Sequence, residues 1–106
     1  MANILWMGTT ILEKTSQRIA KLLNIFGMLN VSFPNSTDGF WEFDKSTVQI
    51  LKDFQINVIA TDTDVTRSWI SFFSDPTLRN VKIYKWDSKH EVWEEITYEK
   101  FIKTIN

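Results

Sequence analysis

Apolar positions change period several times along this chain, and each change marks an element. Residues 3–7 form a short apolar run ending at Gly8, and Thr10 followed by Glu13 gives the capping-box pattern of a helix start. Ile11, Leu12, Thr15, Ile19, Leu22, Leu23 and Phe26 then recur at helical spacing. Gly27 supplies the left-handed position at which helices commonly stop, so the spacing predicts a helix over residues 11–26. Leu29, Val31 and Phe33 alternate with polar neighbours and read as a strand over residues 28–33, ended by Pro34. Residues 34–39 are loop chemistry, and residues 40–43 fit either a hairpin strand or an aromatic lead-in to a helix.

A second helix is expected over residues 46–54 with Val48, Leu51 and Phe54 inward, and residues 56–60 read as a short strand buried on both faces. Asp64 is the expected N-cap of a third helix that carries Val65, Trp69, Phe72 and Phe73, with Asp75 and Pro76 ending it. Val81, Ile83 and Lys85 alternate with Lys82, Tyr84 and Trp86. After a polar turn over residues 87–90 a second strand runs to Ile96, giving an antiparallel hairpin. Thr97 caps a last short helix whose apolar face is Tyr98, Phe101, Ile102 and Ile105. The order predicts an α/β fold of three-layer type, βαβαβα, with a mostly parallel sheet, an antiparallel C-terminal hairpin and a final short helix. One domain over residues 1–106 is expected, because no repeat or long linker divides the chain.

Composition narrows the chemistry. The 43% hydrophobic content, with five Trp and eight Phe, supplies enough apolar bulk for a core without staples. The absence of Cys removes disulfides, thiolate metal sites and cysteine nucleophiles, and fits a reducing compartment. The opening residues show neither a basic n-region nor a small-residue cleavage site. Glu13, Lys14, Arg18 and Lys21 interrupt the next apolar stretch, so a cytoplasmic protein without a membrane segment is expected. A net charge of −1 argues against general nucleic-acid binding. Charge is uneven, however: residues 35–64 hold six acids against two bases, whereas residues 1–34 hold one acid and three bases.

In a parallel sheet of this kind, ligands and partners meet the carboxyl ends of the strands, which points to residues 8–10, 34–44 and 61–64. That edge is expected to gather Asp38, Glu42, Asp44, Asp62 and Asp64 beside Phe40, Trp41 and Phe43 as an acidic and aromatic partner-binding surface, with Trp86 and Trp93 of the hairpin as a second contact region. The two indoles are also expected to pair across the hairpin. His90, the only histidine, falls in the hairpin turn with no Ser or Cys to activate and reads as solvated surface. Glu94 and Glu95 are neighbours on a strand and point to opposite faces. Gly8-Thr9-Thr10 leads into a helix but has no second glycine and no lysine of a P-loop. No catalytic residue, metal ligand or cofactor is assigned.

Two resemblances bear on function. Asp62-Thr63-Asp64-Val65-Thr66 after an apolar strand resembles the DxDxT signature of haloacid-dehalogenase-type phosphatases. The resemblance implies Asp62 as nucleophile and Asp64 as acid and base beside magnesium. In that family more than a hundred residues with further motifs follow the signature, and here about forty remain. A receiver-type reading of Asp62 lacks the acidic pair after the first strand, which ends Trp6-Met7-Gly8. In its size, lack of Cys, Trp content and closing pattern Lys85-Trp86-Asp87 and Val92-Trp93-Glu94-Glu95-Ile96, the chain resembles small bacterial immunity and antitoxin proteins. That resemblance implies a stoichiometric inhibitor of a cognate basic toxin, such as a nuclease, with a protein partner and no direct nucleic-acid or membrane contact. The alternatives are a minimal phosphate- or nucleotide-binding enzyme built on Asp62 and Asp64, and an oligomeric structural or phage-derived subunit.

Overall fold

The computed structural model describes residues 2–8, 12–32 and 43–105. Five strands, Ala2–Trp6 (β1), Leu29–Ser32 (β2), Val58–Thr61 (β3), Lys82–Asp87 (β4) and Val92–Glu95 (β5), form one sheet in the order β2-β1-β3-β4-β5. Neighbours are parallel except β4 and β5, which make the expected antiparallel hairpin. The helices are Leu12–Ala20 (α1), Leu23–Phe26 (α2), Lys45–Asp53 (α3), Ile70–Ser74 (α4) and Tyr98–Ile105 (α5).

Alternation along the central strands sorts side chains into two cores. Ile4 and Trp6 of β1, Val58 and Ala60 of β3 and Tyr84 of β4 pack on one face with Ile19 of α1, Leu22 of the turn after it and Phe26 of α2. Leu5, Ile59 and Ile83 pack on the other with Leu51, Phe72 and Phe101 of α3, α4 and α5. The sheet is therefore a middle layer, covered on both sides, and all four residues of β3 are buried. The strand order explains the division. The chain leaves β1 in one direction to reach β2 and passes back over β1 to reach β3 and β4. Crossovers of one hand then place α1 and α2 on one face and α3 and α4 on the other.

Local chemistry fixes several element ends. Asp44 caps α3, its Oδ1 accepting from the Thr47 N–H at 3.1 Å and from the Ser46 hydroxyl at 2.6 Å. Gly27 stands at the end of α2 with a φ of +78°, and its N–H donates to the Leu23 carbonyl at 2.8 Å. Thr97 opens α5, its hydroxyl accepting from the Lys100 N–H. No helix among the described residues is long and apolar enough to cross a membrane.

Four expectations are corrected. The helix over residues 11–26 is two helices, because the Lys21 and Leu22 N–H groups bond three residues back, to Arg18 and Ile19; the tightened turn changes the phase. Leu22 is fully buried, and Leu23 lies on the surface. Phe54 is half exposed: α3 ends at Asp53, Gln55 takes a φ of +52°, and the chain turns so that Ile56 enters the core instead. The third helix shortens to a 3-10 turn, Arg67–Trp69, followed by α4. Asp64 does not cap it, because Thr66 holds the N-cap position and Asp64 reaches across to a lysine of β4. Val65, Trp69 and Phe72 share the core as their spacing suggests, although Val65 precedes any helical turn.

Candidate functional site

The reversal of strand order lies between β1 and β3, and doubly wound sheets open a crevice at the carboxyl ends of such strands. Gly8 follows β1 and Asp62 follows β3 at this point. A side chain on Gly8 would overlap the Asp62 carboxylate and the Trp6 ring, so glycine is what lets the two strand ends close together. Thr61 shapes the start of the second loop: its buried hydroxyl accepts from the Thr63 N–H at 3.1 Å.

Both acids of the DxDxT-like segment face a cation. Asp62 Oδ2 lies 3.6 Å from the Arg18 guanidinium, in the last turn of α1, and its side chain is only 8% exposed. Asp64 Oδ1 lies 2.7 Å from Lys85 Nζ of β4, with the Asp64 side chain 79% exposed and Lys85 recessed. The motif thus distributes its two carboxylates to two different cations. Among the described residues no group of three or more acidic or histidine side chains is arranged to hold a metal ion.

Beside these pairs a cleft of about 550 Å³ opens between α1 and the hairpin, lined by Arg18, Asp62, Lys85, Trp86, Asp87, Ser88, Lys89 and Glu94. Its walls alternate in charge. Trp86 and Trp93 are direct partners across β4 and β5, their rings edge to face at 5.2 Å. Trp86 is buried, and the Trp93 indole N–H donates to the Arg18 carbonyl at 2.7 Å, which ties the hairpin to α1. The turn is held by Asp87. Its Oδ1 accepts from the Lys89 and His90 N–H groups, and its Oδ2 lies 2.7 Å from His90 Nδ1. The His90 hydrogen bond, with the two backbone N–H groups, holds the Asp87 carboxyl below the usual carboxylate range.

The expected partner-binding residues are only partly brought together. Asp62 and Asp64 stand at the same strand end. Asp44 is spent on the α3 cap, where the Ser46 hydroxyl and Thr47 N–H lower its pKa. Phe43, expected at the edge, is instead 4% exposed and packs against Trp69 and Phe72, while its N–H donates to Ser68 Oγ at 3.2 Å. Asp38, Phe40, Trp41 and Glu42 lie outside the described residues, as do Thr9, Thr10 and Phe33. Glu94 and Glu95 diverge as expected, Glu94 to Lys100 of α5 and Glu95 to the Tyr84 hydroxyl. The residues that sequence reasoning passed over are the cations Arg18, Lys21, Lys85 and Lys89. Arg18 and Lys21 are three apart in a stretch of helical spacing, which is a legible signal that they share a face; Lys85 gains its meaning only from its place beside Asp64. Compared with known protein families, characterised proteins and solved structures, the chain shows no significant match.

Proposed function

We propose that this chain is a stoichiometric protein-binding module, an immunity-type inhibitor whose carboxyl edge covers a basic surface of a cognate toxin. The observation that carries the reading is the exposed Asp64, paired with a more recessed cation, Lys85, which itself lines the mixed-charge cleft. A partner lysine or arginine can meet that carboxylate from solvent without breaking into the core. Charge arranged in this way steers encounter and fixes orientation more than it adds raw affinity. The assignment of Asp62 and Asp64 to separate cations supports binding over phosphoryl transfer, in which both carboxylates would converge on one phosphorus and one magnesium. A nuclease toxin, whose substrate groove is itself basic, matches such a surface, and no cofactor enters the reading.

The test is affinity capture from the host at low and high salt, repeated with Asp64→Ala, which removes a mostly solvated side chain and leaves the fold intact. A single basic protein in equal amount is expected on the wild-type column, weakened by salt, with its affinity for Asp64→Ala lower by about fivefold. Equal retention by both proteins would remove this edge as the contact surface.

A further inference from the structure

The groove between the end of α1 and the hairpin turn gathers positive charge that the inhibitor reading does not use. Gln17, Arg18 and Lys21 form one wall, Trp86, Ser88 and Glu91 the other, and the space between them is about 390 Å³. The Arg18 guanidinium carbon stands 5.2 Å from the Trp86 ring centre and Lys21 Nζ stands 5.3 Å from it. Two cations therefore sit over one indole, no further apart than those two distances joined end to end.

Both walls are fixed. Arg18 is anchored by Asp62, and Lys21 Nζ donates to the Glu91 carbonyl at 3.1 Å, an oxygen presented by the left-handed backbone of Glu91 at a φ of +54°. A carbonyl satisfies the ammonium's hydrogen-bonding need without cancelling its charge. On the hairpin side the Asp87 turn holds Ser88 in place. Trp86 is 6% exposed, so its ring face is taken by the cations and is not offered to a stacking base. Glu91 is the one acid among the six lining residues, and it is exposed.

We propose that this groove binds a small phosphate-class anion, inorganic phosphate or the phosphate end of a monoester. A tetrahedral group with several acceptor oxygens suits divergent donors: the Arg18 fork, the Lys21 point charge, the Gln17 amide and the Ser88 hydroxyl. Chloride answers the charge but not the spread of donors. The site lies on the α1 wall and does not depend on Asp64, so it stands or falls separately from the inhibitor reading.

The test is calorimetric titration of the intact protein with inorganic phosphate and with adenosine monophosphate, at an ionic strength held constant with chloride. Both ligands are expected to bind one site with affinities within about threefold, since the base has no ring to stack on. Lys21→Gln is expected to weaken both by about tenfold, the loss of one charge-assisted contact. Glu91→Gln is expected to tighten both, and Lys103→Gln on α5 to leave them unchanged, with melting curves showing that each variant is folded. No heat from phosphate overturns the proposal, as does binding of adenosine monophosphate alone. Equal losses in Lys21→Gln and Lys103→Gln overturn it too, because they would report general charge and not a groove.

Discussion

Gly8 and Trp69 show two ways in which single residues are constrained. At Gly8 the constraint is space: a methyl group there meets the Asp62 carboxylate and the buried Trp6 ring, and the ring cannot swing aside. Gly8→Ala is expected to destabilise the fold by about 1–3 kcal/mol, the usual cost of overpacking, which a urea titration followed by fluorescence will read. An unchanged midpoint would mean that β1 and β3 part more easily than their packing suggests. At Trp69 the constraint is polar: the ring is fully buried among Phe43 and Phe72, and among the described residues its indole N–H has no hydrogen-bond partner. Burial of so much apolar surface offsets an unsatisfied donor costing about 1–3 kcal/mol. The spacing of Trp69 from Phe72 identified a core residue, but no sequence pattern shows whether a buried N–H finds an acceptor.

The start of α3 rests on a side chain, since Asp44 receives both the Thr47 N–H and the Ser46 hydroxyl. Asp44→Ala is expected to cost about 1 kcal/mol, while Asp44→Asn retains most of the stability, because an amide oxygen can also accept from Thr47. Denaturant midpoints of the two variants separate a cap from a mere surface charge. Elements whose signals are local were legible: the alternation of β4, the Gly27 stop and the Thr97 cap each depend on neighbours within a few residues. The outcome at residues 20–23 was not, because Ile19, Leu22 and Phe26 fit an unbroken helix as well as a broken one. At Asp64 a local role as cap lost to Lys85, a partner twenty-one residues away that only the folded sheet brings near.

For the whole molecule, acid is the telling perturbation. Asp44, Asp75 and Asp87 all have pKa values below the ordinary 3.8, set chiefly by Ser46, Thr77 and His90 respectively. A native pKa below the unfolded one means that the unfolded chain takes up protons first as the pH falls. The stability these three groups contribute is complete above the ordinary carboxylate range. It declines once the pH drops below about 3.8 and is gone when the lowered native values have been passed. Urea midpoints measured from neutral to strongly acidic solution should therefore hold steady and then fall, and a flat profile throughout would contradict the three hydrogen-bonded carboxylates. The candidate site was half legible at this scale. The charge imbalance of residues 35–64 and the strand-end rule led to Asp62 and Asp64, but the cations that answer them come from α1 and β4, elements remote in sequence.

Trp6, Trp93 and Trp86 run from β1 to the hairpin, with rings 6.3 Å and then 5.2 Å apart and steeply inclined to one another. The small Ala60, opposite Trp6 in the sheet, leaves room for this row. Indoles this close do not absorb light independently, and their transitions mix into a shared exciton whose rotational strength depends on the angles between the rings. The docking of the hairpin onto the inner sheet is thus written into the protein's own ultraviolet circular dichroism. Any event that moves β5 or displaces the cations above Trp86 alters that signal without a label.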